Sequence, residues 1–211
     1  MLRPAAEAYQ ALVAPEIRTG IRNALGNLRS PVLLANNLLQ GDLDQAGVTI
    51  GRFVVNSTLG LAGTIDVAAR LGLPGRAEDF GQTLALWGLE EGPYLFLPLL
   101  GPSNPRDLLG FAVDVAADPT TWIGGTAWVA AARVRGALVV LDTREALIEP
   151  VDMMMAETPD PYVTIRSAYR ARRAAAIAGH GVAPAAAPGT GFGVGMGMTP
   201  EEMMGQAPPH R

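Results

Sequence analysis

Cysteine is absent from this chain. That excludes disulfides, thiol catalysis and cysteine-ligated zinc, and it leaves no cysteine here to carry a lipid anchor. Histidine is nearly absent: His180 and His210 are the only two, and both lie near the C-terminus. The body of the chain therefore lacks the commonest general base. Lysine is absent as well, and all sixteen basic residues are arginine. Arginine's planar fork suits phosphate, but the bias runs through the whole chain and reads as the signature of a GC-rich genome. Charge is sparse at 17%, against about 25% in an average soluble domain. The shortfall implies that the chain covers something apolar besides its own core. A net charge of -4 and a pI near 5.2 speak against a nucleic-acid binder, which would carry a clustered basic face.

Long apolar runs are missing too. The longest, Trp122 to Leu141, is interrupted by Arg133 and Arg135 and weakened by Gly124, Gly125 and Gly136. A spanning helix needs about 20 apolar residues, and a charge near its centre costs roughly 3 kcal/mol. Interfacial or core burial is expected instead. The N-terminal Met1-Leu2-Arg3-Pro4 opens no apolar stretch of signal-peptide length, so no export signal is expected in this sequence. There is no internal repeat.

What is present is helical periodicity. Ile17, Gly20, Ile21, Ala24, Leu25 and Leu28 share one face of a helix that Pro15 opens and Ser30-Pro31 closes. Pro31 starts a second helix to Gln40, with Gly41 as its stop. Asp42 or Asp44 caps a third, in which Leu43, Ala46, Ile50, Phe53, Val54, Ser57 and Leu61 share a face. Shorter helices are expected at 65–71 and 79–87, then one from Asn104-Pro105 to about Ala117. One or two helices should cover 121–149, with Met153 to Met155 in a connection. Asp160-Pro161 starts the last helix, where Tyr162, Ile165 and Tyr169 face one way and Arg166, Arg170 and Arg173 another. Residues 179–211 are rich in Gly, Ala, Pro and Met and read as a disordered tail behind a helical domain at 1–178. Met196, Met198, Met203, Met204 and His210 read as part of that tail rather than a metal site.

No enzyme is expected. Gly101-Pro102-Ser103-Asn104-Pro105 only half resembles a nucleophile elbow, and Gly60-Leu61-Ala62-Gly63 is neither a phosphate loop nor a dinucleotide fingerprint. No carboxylate pair suggests itself, and no cofactor or metal is implied. Between Gly88 and Pro102, glycine and proline bracket the apolar run Tyr94 to Leu100, in which Pro98 disfavours a central strand or an unbroken helix. The run either fills core or dips into a leaflet. Gly88 to Gly92 is a tight turn or a hinge. Arg106-Asp107 pairs across a helix start or meets a head group. The row Arg166, Arg170, Arg173 is a solvated face or a head-group contact.

Several stretches together resemble the MlaA/VacJ family. They are Ile17 to Asn23 and Asn27 to Pro31; Leu38 to Asp42; Gly51 to Ala68; Asp79 to Leu84 with Trp87-Gly88, Gly92-Pro93-Tyr94, Leu97-Pro98 and Arg106-Asp107; and Asp160-Pro161-Tyr162 with Arg166, Ala168-Tyr169 and Arg172. The resemblance runs from about Tyr9 to Arg173. It implies an all-α, ring-like body of short amphipathic helices with a Gly/Pro-rich hairpin loop, embedded in the inner leaflet of an outer membrane, on its periplasmic side. Phospholipid that has strayed into the outer leaflet would pass through a polar channel to a periplasmic carrier, beside a trimeric porin. The alternative is a peripheral scaffold that binds lipid or porin without transport. The resemblance also makes Gly88, Glu90, Glu91, Gly92, Pro93 and Tyr94 a channel-side gating loop. Leu95, Phe96, Leu97, Leu99 and Leu100 follow as the membrane-facing segment. Arg106, Arg166 and Arg170 are the expected head-group contacts. Glu90 stands where family members often carry glycine. With Glu91 it would stiffen the loop and set negative charge beside a phosphate path.

Overall fold

The computed structural model describes residues 3–97, 100–122 and 125–179. Of the tail expected at 179–211, residues 180–211, with their methionines and both histidines, lie outside the described residues, as do Pro98 and Leu99. Ten α-helices run in order: α1 (Arg3–Leu12), α2 (Pro15–Leu28), α3 (Ser30–Leu39), α4 (Leu43–Thr58), α5 (Val67–Arg70), α6 (Phe80–Leu86), α7 (Pro105–Ala117), α8 (Thr126–Ala146), α9 (Ile148–Glu157) and α10 (Pro161–Ile177). A short 3-10 turn, Pro119–Thr121, joins α7 to the segment before α8. Among the described residues the fold is all-α apart from one hairpin between α6 and α7. No described helix is long and apolar enough to cross a membrane.

Helix starts follow local chemistry. The side chains of Asp42, Asp66, Asp79, Asn104 and Asp160 each accept a hydrogen bond from a backbone N–H in the first turn of the helix they open. Each satisfies a donor that the helix itself cannot. Proline at the first positions of α2, α3, α7 and α10 removes another such donor.

The structure departs from expectation in three places. Residues 3–12 form α1, and Met153 to Met155 lie inside α9 rather than in a connection. The apolar run at 94–100 contributes strand β1 (Leu95–Leu97), paired antiparallel with β2 (Gly101–Ser103) in the register Leu95↔Ser103, Phe96↔Pro102, Leu97↔Gly101. A two-stranded ribbon has only edges, so it tolerates the proline that a central strand would not. The structure also fixes the direction of the helix faces, which periodicity leaves open. On α4, Leu43, Ile50, Phe53 and Val54 are exposed, as is Leu61 in the turn beyond the helix, whereas Ala46 of the same expected face is buried together with Gln45, Thr49 and Asn56. The same inversion holds in α2, where Ile17 and Leu28 are exposed while Arg18 and Asn27 are buried, and in α3, where Leu38 and Leu39 are exposed around buried Asn36 and Asn37.

Packing is closest where α6 meets α7. A Cβ added to Gly110 would stand 2.2 Å from the Gly81 backbone nitrogen, so the two helices touch backbone to backbone. Replacing Gly110 with Ala should therefore cost about 2 kcal/mol or more through overpacking. Gly26→Ala, where nothing lies within 4 Å, should be neutral or stabilise by up to about 1 kcal/mol through helix propensity. Thermal unfolding of the two variants in detergent micelles measures the contrast.

Candidate functional site

Among the described residues, eighteen polar or charged side chains are buried against six apolar ones, while twenty-six large apolar side chains are exposed. A water-soluble fold has the opposite arrangement. Most of the buried polar groups are sustained by hydrogen bonds to one another or to the backbone, although single atoms of Arg18, Asn37, Gln45 and Arg106 have no partner among the described residues.

The densest knot lies between α6, α7 and α10. Arg173 on α10 grips both oxygens of Asp79 at 2.6 and 2.7 Å, and both oxygens of Asp107 at 2.7 and 2.9 Å. Asn104 donates to Asp107 at 2.9 Å and to the Tyr169 hydroxyl at 3.0 Å, and that hydroxyl donates to Asp107. Arg106 adds its Nε to Asp107 at 3.0 Å. Burial alone would raise the Asp79 pKa. The hydrogen bonds and charge of Arg173 outweigh it and hold that carboxyl at about 2. Burial would lower the Arg173 pKa, and its two carboxylate partners raise it instead.

From there the polar line continues into α3. Asp114 accepts from Asn36 at 2.9 Å and from Arg29 at 3.3 Å. Thr83 donates to Asn36 at 2.9 Å and accepts from Gln40 at 3.1 Å. A small cavity of about 30 Å³ opens beside Arg29, Asp79, Asp107, Asp114 and Arg173. That is room for water, not for a lipid head group. A second knot joins α2 to α8: Arg18 pairs with Glu145, and Arg22 with Asp142 at 3.2 Å. Burial pushes the Asp142 pKa up to about 6 despite Arg22. Among the described residues no cluster of three or more potential metal ligands comes together.

The expected site residues are placed as follows. Gly88 and Gly92 both have positive φ, 91° and 71°, the left-handed conformation glycine adopts most readily. Glu90 is exposed, and Glu91 reaches Arg170 of α10 at 3.3 Å, both side chains partly exposed. Pro93 is exposed. Tyr94 packs edge-to-face on Tyr162 and Tyr169, with ring centres 5.8 and 5.9 Å apart. In the hairpin Phe96 is exposed while Leu95, Leu97 and Leu100 are half-buried, Leu100 against the small cavity. Leu99 lies outside the described residues. Arg166 is exposed on α10. Arg106 is buried against Asp107, and Arg173 leaves the row it shares in sequence with Arg166 and Arg170 to become the central pin.

Sequence reasoning missed the buried polar set. Asp79 and Asn104 were legible only as helix caps, and Asp114, Asn36 and Thr83 were not singled out. The available signal was Asn36-Asn37 set inside an otherwise apolar helix.

A family model described as MlaA lipoprotein matches residues 1–176. The chain belongs to the MlaA family. It is 34% identical over 178 residues to an uncharacterized protein of Rickettsia felis, covering 82% of this chain and 69% of that one. It is 33% identical over 174 residues to the intermembrane phospholipid transport system lipoprotein MlaA of Haemophilus influenzae, covering 80% and 67%. Over 172 residues it is 33% identical to the lipoprotein of the same name from Escherichia coli K12, covering 80% and 66%. The chain thus spans about two thirds of the length of these relatives. A solved structure from work on the structural basis for maintenance of bacterial outer membrane lipid asymmetry superposes with a TM-score of 0.71 at 30% identity, covering 84% of this chain and 88% of that one. The helical ensemble described above is therefore the MlaA fold.

Two substitutions test the electrostatics of this MlaA interior. Arg173→Met strands two buried carboxylates and should cost about 3–5 kcal/mol. Asp142 acts in the other direction. Its folded pKa of about 6 lies above the ordinary 3.8, so the folded state binds the proton more tightly. Ionising it costs stability progressively from pH 4 to 6, and the full cost stands above pH 6. Asp142→Asn should therefore raise the melting temperature at pH 7.5 and give no gain at pH 4, as differential scanning fluorimetry across that range would record.

Proposed function

We propose that this chain moves phospholipid, drawing molecules that have strayed into the outer leaflet of an outer membrane down to a periplasmic carrier. The observation that carries this reading is the inverted distribution of side chains. Exposed leucine, isoleucine, valine and phenylalanine on α2, α3 and α4 match acyl chains, which cannot satisfy polar groups. No described helix spans a bilayer, so the body rests in one leaflet, the inner one, with its short helices lying in the lipid. The buried arginines, carboxylates, amides and hydroxyls give a charged head group an environment it can cross while its tails stay in hydrocarbon. The names of the Haemophilus and Escherichia relatives support phospholipid as the cargo.

The reading needs no bond to be made or broken, hence no catalytic residue and no cofactor. The cavity beside Arg29 and Arg173 is too small for a head group, so passage requires movement. The loop from Gly88 to Tyr94 and the hairpin behind it are the pieces we assign to that movement. Arg173 stays fixed, because releasing it would uncover two carboxylates. Direction comes from the carrier that takes the lipid away, and a trimeric porin is the expected neighbour in the membrane.

Vesicles carrying the full chain and a fluorescent phospholipid, mixed with purified carrier and acceptor vesicles, should transfer lipid faster than the carrier alone. Binding without transfer would favour the scaffold. Placing Asp at Ile50 and Val54 on the exposed side of α4 should weaken vesicle binding at least tenfold, since about 1.4 kcal/mol of apolar contact is the least such a change removes.

A further inference from the structure

Tyr94 ends the glycine-bracketed loop, and its hydroxyl is sealed from solvent with no hydrogen-bond partner. A buried donor left unmade costs about 1–3 kcal/mol. Its ring is held in place by Tyr162 and Tyr169, so it cannot swing out without losing two aromatic contacts. Burial and the neighbouring Tyr162 raise its pKa, while the charge of Arg166 works against them. The group is therefore a protonated donor with a cation nearby. Arg166 makes no ion pair among the described residues. One turn further along α10, Arg170 has a single long contact to Glu91.

The Tyr94 hydroxyl and Arg166 have no paired acceptor among the described residues, and an acceptor from outside would fill that place. Glu91 already supplies one acceptor, from a loop whose ends at Gly88 and Gly92 sit in the glycine-favoured conformation. A phosphate offers several acceptor oxygens and matches the guanidinium fork better than one carboxylate oxygen does. Apolar side chains nearby in the chain are exposed: Phe96, two residues beyond Tyr94, is 57% exposed, and Val163, next to Tyr162, is 52% exposed. That pairing of donors with greasy rims suits an anion attached to acyl chains better than a free one.

We propose that Tyr94, Arg166 and Arg170 form a binding site for the phosphodiester of a lipid head group, and that Glu91 is its built-in competitor. In the lipid-bound state Glu91 is displaced from Arg170 and the loop that ends at Tyr94 moves aside, so that the phosphate reaches the Tyr94 hydroxyl, sealed in the closed state, and Arg166. The loop carboxylate thus closes the site when lipid is absent and is expelled when lipid arrives. The inference rests on the transport reading for the identity of the anion.

The test is calorimetric titration of the full chain in detergent with dihexanoyl phosphatidylglycerol, with inorganic phosphate and with dihexanoylglycerol, which lacks the phosphate. Tyr94→Phe keeps the ring packing and removes only the hydroxyl. It should weaken phosphatidylglycerol binding about fivefold, and Arg166→Gln about tenfold. Glu91→Gln should tighten it several-fold. Arg70→Gln, which removes a charge on α5, should change nothing. Phosphatidylglycerol binding by Tyr94→Phe and Arg166→Gln at the unsubstituted level would overturn the site. Inorganic phosphate binding as tightly as phosphatidylglycerol would overturn the lipid assignment, and equal binding of dihexanoylglycerol would overturn the role of phosphate. Failure of vesicle transfer with lipid binding intact would sink the transport reading and leave the site standing. Intact transfer with unaltered binding in both variants would do the reverse.

Discussion

A guanidinium buried between two carboxylates is expensive to assemble and more expensive to break. Arg173 holds Asp79 at the start of α6 and Asp107 at the start of α7, and it does so from α10, the last helix of the described chain. Taking these charges out of water costs several kcal/mol each, and only near-complete pairing offsets that. The geometry supplies it, because every oxygen of the two carboxylates has a donor. The knot also constrains what surrounds it. A side chain at Gly81 would strike Arg173 and Asp107, and one at Gly110 would strike Gly81. Among the described residues, the close crossing of α6 and α7 and the most heavily paired charge cluster are the same place.

The rest of the architecture follows from that choice of interior. When arginine, aspartate, asparagine and threonine occupy the middle, apolar side chains are left for the outside. In water such a molecule would be unstable, since the hydrophobic effect favours the opposite arrangement. Against acyl chains the preference between inside and outside disappears for apolar groups and becomes strong for polar ones. Low charge content, exposed leucines and a paired polar interior are thus three aspects of one solvent. Membership in the MlaA family agrees with that solvent being lipid.

Much of the framework was legible in sequence. The breaks at Ser30-Pro31 and Gly41, and the starts at Asn104-Pro105 and Asp160-Pro161, sit where proline and capping chemistry put them. These are local effects, and local spacing reports them. Periodicity shows that α4 has two faces but not which face turns inward, because that depends on the solvent outside. The hairpin loop is legible in its bracketing glycines and prolines, but its three-residue strands have too little pattern to read. Arg173 was read with Arg166 and Arg170 because helical spacing groups them; its burial is decided by Asp79 and Asp107, which reach it from distant parts of the chain. The contact of Glu91 with Arg170 was hidden for the same reason. The loop itself was legible through its glycines, its partner on α10 was not.

The most direct measurement of whether this molecule is turned inside out is the environment of spin labels in the reconstituted protein. Labels at Leu38, Ile50, Val54 and Leu61 should collide readily with oxygen, which concentrates in hydrocarbon, and rarely with a water-soluble nickel chelate. High nickel collision and low oxygen collision at those four positions would place the apolar surface in water and contradict the account.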